Sequence, residues 1–415
     1  MKKESIILLI LSISFLLIRL YQLPYTVNYS MDQGTTLLKT YSLWQEKKFT
    51  LIGPETSIKS TDKHSFFYAP WIYYFLLPFM LVSNWEPLAG SFLFILLNLW
   101  ALFFLFKGVK EKFNLKTALI VSIIFTFSPK MVYFSQFFWN PNFLVFCSSL
   151  LFYFWVKLNK KEDNFLNIFL SGLVIGFGLG NHYLFILVAL PFTLWMISQK
   201  NSWKSVFILV EGILLGLLPL VVFEIKHNFY NLKTIFSIIS KGTEEAISLP
   251  LPFHYYLSLV PLIYLLIALA IEKIDKKIPK LGLGITICFI IYSLTQLIPK
   301  AQAGYTMPPG WNYKGVKKAS QIILKENKKE YNIVNLLSGD TRSYGLRFIL
   351  TKEKNPPLKV NEYPVSDYLF ILSYKKPETV ITDPVWEISS FCPCLVSKKW
   401  EIQNKINLYL LRKTN

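Results

Sequence analysis

The sequence predicts a polytopic α-helical membrane protein of about nine transmembrane helices, with a long first outer loop and a small α/β domain at its C-terminal end. Three observations carry this. The 415 residues are 53% hydrophobic and 17% aromatic, with a positive mean hydropathy, which is more apolar chain than one soluble core absorbs. The apolar residues come in runs long enough to cross a hydrocarbon core of about 30 Å. The lysines behind the net charge of +19 gather after alternate runs, as cytoplasmic loops require.

The first run, 5 to 21, follows Lys2 and Lys3 and reads as a span with a cytoplasmic N-terminus. No small-x-small cleavage site follows it, so a cleaved signal peptide is the weaker reading. Further spans are predicted at 86 to 106, 117 to 134, 142 to 157, 166 to 180, 183 to 199, 205 to 222, 251 to 271 and 281 to 298. The lysine-rich loops 107 to 116, 157 to 161, 200 to 204 and 272 to 280 then fall on the cytoplasmic side. Parity excludes the apolar stretch 66 to 83 as a crossing, because counting it would put every one of those loops outside. With Pro70 and Pro78 it suits a juxtamembrane or re-entrant element of the outer loop 22 to 85. The five lysines of residues 22 to 65 run against this scheme, although long loops weigh less.

Residues 1 to 298 thus form a transmembrane domain and 299 to 415 a soluble extracytoplasmic one. The latter reads as a helix at 314 to 325, a strand at 331 to 338, a helix at 342 to 350 and strands at 367 to 374 and 404 to 412, with a turn or short helix near Asp383 and Pro384. The charge is a topology signal toward membrane lipids. Nucleic-acid binding does not fit, since no basic stripe is interleaved with exposed aromatics. Cys147 and Cys288 fall in spans. Cys392 and Cys394 lie too close in sequence for an ordinary disulfide, and no phosphate loop or internal repeat is present.

The polar residues that could carry chemistry share the outer side. Asp32 stands at the start of an amphipathic stretch, where it serves either as an N-cap or as a carboxylate held for reaction. His64 closes the same loop, beside Lys63, as metal ligand, phosphate contact or solvated residue. Trp139 and Asn140 separate the third and fourth spans, and His182 and Tyr183 the fifth and sixth. Glu224, His227 and Asn228 follow the seventh. Singly these read as helix starts and interfacial anchors. Their common side is what a cavity at one membrane surface requires. Glu224 and His227, at i and i+3, offer two ligands to one divalent metal, a pair but not a site; no cofactor is otherwise indicated.

Met31-Asp32-Gln33-Gly34 after the first span, Tyr68-Ala69-Pro70-Trp71 at the end of the loop, and the stretches FFWNPNF, GNHYLF and PLVVFEIKHNFYN together resemble glycosyltransferase family 39 of the GT-C superfamily, over residues 1 to 300. The resemblance implies transfer of a sugar from a polyprenyl-phosphate donor to a protein or lipid-linked acceptor at the outer face of the plasma membrane, with inversion. Asp32 is then the general base. The family's acidic pair is Asp32-Gln33 here, and a lysine expected before the aromatic-Pro element is replaced by Tyr68, leaving Lys63 or Lys130 to hold the donor phosphate. A transporter or flippase, and a non-catalytic envelope scaffold, are the alternatives. The first would place polar groups on broken helices at mid-membrane.

Overall fold

The computed structural model describes residues 3–159, 164–200, 202–244, 252–300, 307–337 and 340–414. Lys160 and Lys161 of one lysine loop, Asn201 of another and Ser338 at the end of a predicted strand lie outside the described residues. Two compact units result: Met1–Leu20 with Lys47–Phe79 and Gly90–Gln296, and Tyr21–Glu46 with Met80–Ala89 and Leu297–Asn415.

In the first unit, helices or bent helix pairs stand at the predicted spans. Among the described residues three are by length and composition able to cross a membrane, Leu88–Lys112, Asn140–Leu158 and Leu281–Ile298, or up to five if each bent pair is one span. Two predicted spans are bent. The run 117 to 134 is broken into Leu115–Phe127 and Pro129–Gln136, bent by 62°, and the run 205 to 222 into Trp203–Gly216 and Leu218–Lys226, bent by 74°. A proline at the start of each second piece, Pro129 and Pro219, has no N–H to continue the ladder. Each break is closed by a side chain that donates to a freed carbonyl. The fully buried Arg19 donates to Thr126 O at 2.9 Å and Phe125 O at 3.3 Å, and also to Ser135 Oγ at 2.8 Å. Trp71 Nε1 donates to Gly216 O at 3.0 Å.

Helices Phe165–Asn181 and Trp203–Gly216 approach so closely that a Cβ on Gly172 would sit 2.2 Å from Leu209 O, and one on Gly212 2.3 Å from Phe169 O. Gly176 and Gly216 repeat the arrangement one turn on. This is the small-xxx-small contact of membrane helices. Helices also extend into the predicted lysine loops, to Lys112 and Lys277. There the lysines pair: Lys157 with Glu111 at 2.8 Å, Lys276 with Glu272 at 2.7 Å, and Lys116 with Asp275. The apolar stretch 66 to 83 contains strand β2 (Ser65–Phe67), paired antiparallel with β1 (Glu55–Lys59), and the helix Trp71–Val82. Twelve residues make about 18 Å of helix at ~1.5 Å each, short of the hydrocarbon core.

The second unit holds a four-stranded sheet of order β3-β4-β6-β5, with β3 (Tyr331–Asn335), β4 (Tyr368–Ser373), β5 (Cys394–Gln403) and β6 (Ile406–Lys413). β3 runs parallel to β4 and the remaining pairs are antiparallel. Helices Tyr313–Glu326 and Tyr344–Lys352 match the predicted ones within two residues, while β5 was not predicted. Its lysines at 398 and 399 hide the strand alternation. Val334, Leu369, Ile371, Phe391, Tyr409 and Leu411 are central to its core. Cys392 and Cys394 are bonded to each other, correcting the reading that they stand too close: the turn through Pro393 sets their Cα atoms 4.5 Å apart, within the span of a bridge.

The helix Met31–Gln45 belongs to this unit. A Cβ on Gly34 would meet the Tyr344 backbone at 2.4 Å, so only glycine permits this approach. Tyr29 donates its hydroxyl to Gly345 O at 3.2 Å and meets the Tyr313 ring edge-on at 5.2 Å; Tyr41 does the same with Trp85 at 4.8 Å.

Candidate active site

The cap of helix Met31–Gln45 is Ser30, not Asp32. Ser30 donates its N–H to Gln33 Oε1 at 3.1 Å and its side chain accepts the Gln33 backbone N–H, the reciprocal arrangement of a capping box. Gln33, fully buried, is thus occupied at the position where the family carries its second acid. Asp32 is left free of capping duty. Its side chain reaches solvent, but the protein around it still withholds water: burial is the larger cause raising its pKa, and the Asp340 carboxylate is the second. Burial likewise raises Asp340, against the pull of the Arg342 N–H at 3.2 Å and the charges of Arg342 and Arg347. A carboxylate whose proton affinity is lifted by burial and by a neighbouring carboxylate suits base chemistry better than an ordinary surface Asp does.

The other predicted residues lie in the first unit and separate into two groups. Glu224 accepts the N–H groups of Asn231 and Leu232, both at 3.2 Å. Asn231 in turn accepts from Phe67 N at 2.9 Å and donates to Phe67 O at 3.3 Å. The His227 ring stacks on Phe223 at 4.4 Å, and Asn228 takes the left-handed conformation with φ of 53°. The exposed His64 lies 6.1 Å from Tyr230, and Lys63 forms the tight turn of the β1–β2 hairpin. This group fastens the hairpin to the helix Tyr230–Lys241. Glu224 has both oxygens engaged, and among the described residues no three His, Cys, Asp or Glu side chains come together to hold a metal ion.

The second group is His182, Tyr183, Trp139, Asn140 and Lys130, joined by Tyr68, His254 and Tyr255. His182 is 2% exposed and stacks on Tyr68 at 5.5 Å and Tyr183 at 4.8 Å, with His254 at 6.4 Å and Tyr255 at 5.8 Å. Trp139 meets His254 at 4.6 Å, and exposed Lys130 stands 5.2 Å over Phe253. His182 Nδ1 accepts the Leu184 N–H at 3.3 Å, which assigns its proton to Nε2. Burial, then the nearby His254, lowers its pKa to about 3, and burial lowers that of His254. Both rings are therefore neutral hydrogen-bonding groups at physiological pH. Asn140 is 2% exposed, and neither its amide nitrogen nor its oxygen has a protein partner.

His254, Tyr255 and Asp340 were missed in the sequence. His254-Tyr255 was absorbed into the span 251 to 271, although Pro250, Pro252 and Pro261 argue against a helix running through it. Asp340 follows a glycine in what reads as an ordinary turn.

Residues 64–224 match the family model described as dolichyl-phosphate-mannose-protein mannosyltransferase. The fold is similar over nearly the full chain to ArnT from Cupriavidus metallidurans in the apo state, at 9% identity and a TM-score of 0.59, covering 97% of each chain. The same protein bound to undecaprenyl phosphate gives 8% identity and 0.52, again over 97% of each. An Archaeoglobus fulgidus oligosaccharyltransferase in complex with Zn and sulfate gives 10% and 0.52, covering 93% of this chain and 70% of that one. No curated protein sequence matches significantly. The fold is thus similar to that of ArnT. The resemblance to the mannosyltransferase family read from the sequence is borne out by the matched stretch, which holds Trp139, Asn140, His182 and Tyr183 and begins after Asp32.

Proposed function

We propose that this protein transfers a sugar from a polyprenyl-phosphate donor to an acceptor hydroxyl, with Asp32 as the base. One observation carries the lipid-linked donor. The His182 group shares Tyr183 and Tyr255 with an apolar cavity of about 350 Å³, whose wall includes Phe66, Ile235, Ile238 and Ile239. A polar aromatic cradle that continues into an apolar cavity suits an amphiphile, with the sugar phosphate on the polar side and isoprene units on the other. ArnT bound to undecaprenyl phosphate shares the fold, which supports this class of donor.

In the transfer the acceptor oxygen attacks the anomeric carbon, the bond from that carbon to the phosphate oxygen breaks, and Asp32 takes the acceptor proton. The polyprenyl phosphate leaves with the electron pair, and single displacement inverts the anomeric centre. Neutral His182 and His254 bind by hydrogen bonding and stacking, while Lys130 offers charge to the phosphate. Both proline breaks, which a transporter reading would use as sites, are closed by Arg19 and Trp71.

The test is incubation of the purified chain with a panel of polyprenyl-phosphate sugars, following donor consumption by mass spectrometry. Consumption of one donor by the wild type and its loss in Asp32→Asn is expected; equal turnover by both proteins would remove Asp32 as the base. For the orientation proposed, with an inside N-terminus, cysteines placed at Lys110 and Lys276 should resist an impermeant thiol reagent in intact cells, and ones at Gln33 and Asn228 should react.

A further inference from the structure

The helix Tyr230–Lys241 carries its polarity inside out. Its buried residues are Asn231 and Thr234, whose side chains hydrogen-bond to the backbone of Phe67 and of Tyr230. Its outward stripe is apolar: Leu232, Phe236 and Ile239, preceded by Phe229 at the N-cap, recur at helical spacing and are all exposed. Phe236 is 68% exposed and Ile239 75%. A helix with water outside shows the opposite pattern, so this stripe requires apolar surroundings.

Those surroundings follow from where the helix starts. It comes directly after the bent helix pair that ends at Lys226, and two successive left-handed residues, Asn228 and Phe229 with φ of 53° and 59°, make the turn between them. Leaving an apolar pair by so tight a turn keeps the helix at the lipid–water boundary, and its twelve residues are too few to cross alone. The charge at its edge then selects among lipids. Residues 225 to 241 hold three lysines and no acid. Lys241 pairs with Asp62 at 3.2 Å, whereas Lys226 and Lys233 are exposed and form no ion pair among the described residues. An apolar stripe edged by lysines is the pattern of a helix that lies in the interface and meets anionic headgroups.

We propose that the helix Tyr230–Lys241 docks on anionic phospholipid, with Phe229, Leu232, Phe236 and Ile239 among the acyl chains and Lys226 and Lys233 on the phosphates. Ile235, Ile238 and Ile239 of the same helix belong to the wall of the apolar cavity of about 350 Å³. Lipid that holds the outer stripe therefore also steadies that wall. The bearing on turnover rests on the transfer reading given above, whereas lipid docking does not.

The experiment uses the full chain in nanodiscs with a bimane fluorophore on Phe236→Cys. Exposed Cys288 is replaced by Ser, while Cys147 is buried and Cys392 is bonded to Cys394, so position 236 alone is labelled. The discs mix phosphatidylcholine and phosphatidylglycerol, and one lipid or the other carries a quenching nitroxide near its carbonyl. Both should quench, with half-quenching at about fivefold less labelled phosphatidylglycerol than phosphatidylcholine, the worth of one lysine at an anionic surface. Lys226→Gln with Lys233→Gln should abolish that preference, and Arg at both positions should keep it. Quenching by neither lipid, as a protein seated on the stripe would give, would overturn the proposal. So would equal quenching by the two lipids in the unsubstituted background, or a preference that survives the Gln pair. With donor added, turnover should rise with the phosphatidylglycerol fraction in the wild type and not in the Gln pair; turnover indifferent to lipid would overturn the link to the cavity. Failure of the transfer reading looks different, as no turnover in any lipid with the quenching preference intact.

Discussion

The group around His182 and the group around Asp32 respond to the same force with opposite chemistry. Burial disfavours charge in both, which makes the imidazoles poor bases and the carboxylates better ones. His182 and His254 are pushed down and stay neutral; Asp32 and Asp340 are pushed up. On the proposed mechanism, low-dielectric surroundings suit one group to recognition and the other to proton transfer, although histidine is by default the residue expected to move protons.

The sharpest way to break this comparison is Asp32→Asn. Transfer should fall about a hundredfold or more, the scale of a lost base, with the melting temperature unchanged because Ser30 and Gln33 hold the cap. Next, His182→Phe keeps the stack with Tyr68 and Tyr183 but removes the Nε2 donor. About tenfold lower donor kcat/KM is expected, equivalent to one hydrogen bond of ~1.4 kcal/mol, whereas His227→Phe should be near wild type; equal losses in the two would merge the groups this structure separates. Asp340→Asn should move the acid limb of the pH–rate profile. Asp32 must be ionised to act and its pKa is raised, so wild-type activity should fall below a pH higher than the ~3.9 of a free Asp. Removing the Asp340 charge, the second cause of that shift, should bring the midpoint down, and an unmoved limb would uncouple the two carboxylates. The smallest effects are on stability. Asn140→Leu should stabilise the fold by about 1 kcal/mol, because a buried amide without partners is costly, while lowering transfer. Glu224→Gln should cost about 1 kcal/mol and leave transfer unchanged, as measured by thermal unfolding beside turnover.

The helices were legible because span length and lysine placement are one-dimensional signals. Their breaks were legible too late: Pro129 and Pro219 were in view, but that Arg19 and Trp71 would complete the interrupted backbone is a three-dimensional fact. Gly172, Gly176, Gly212 and Gly216 spelled out their close contact at spacing four and were passed over. In the candidate site, Asp32 was proposed from its place after the first span, and His182 and Asn140 from the loops they punctuate. The division of Glu224 and His227 from His182 was not legible, since all of them share one predicted side. Asp340 could not have been found, because its significance depends on a packing of Gly34 against Tyr344 that no local pattern announces.

That packing has a consequence for the making of the protein. Tyr29 and Gly345 are 316 residues apart in sequence, and at ~5–20 residues per second a ribosome needs roughly 15–60 s to pass from one to the other. During that interval the segment bearing Asp32 has been synthesised but has nothing to fold against. On the proposed mechanism the base therefore matures last, when the final ~100 residues arrive, and a chain released early carries the proposed donor cradle without the means to use it.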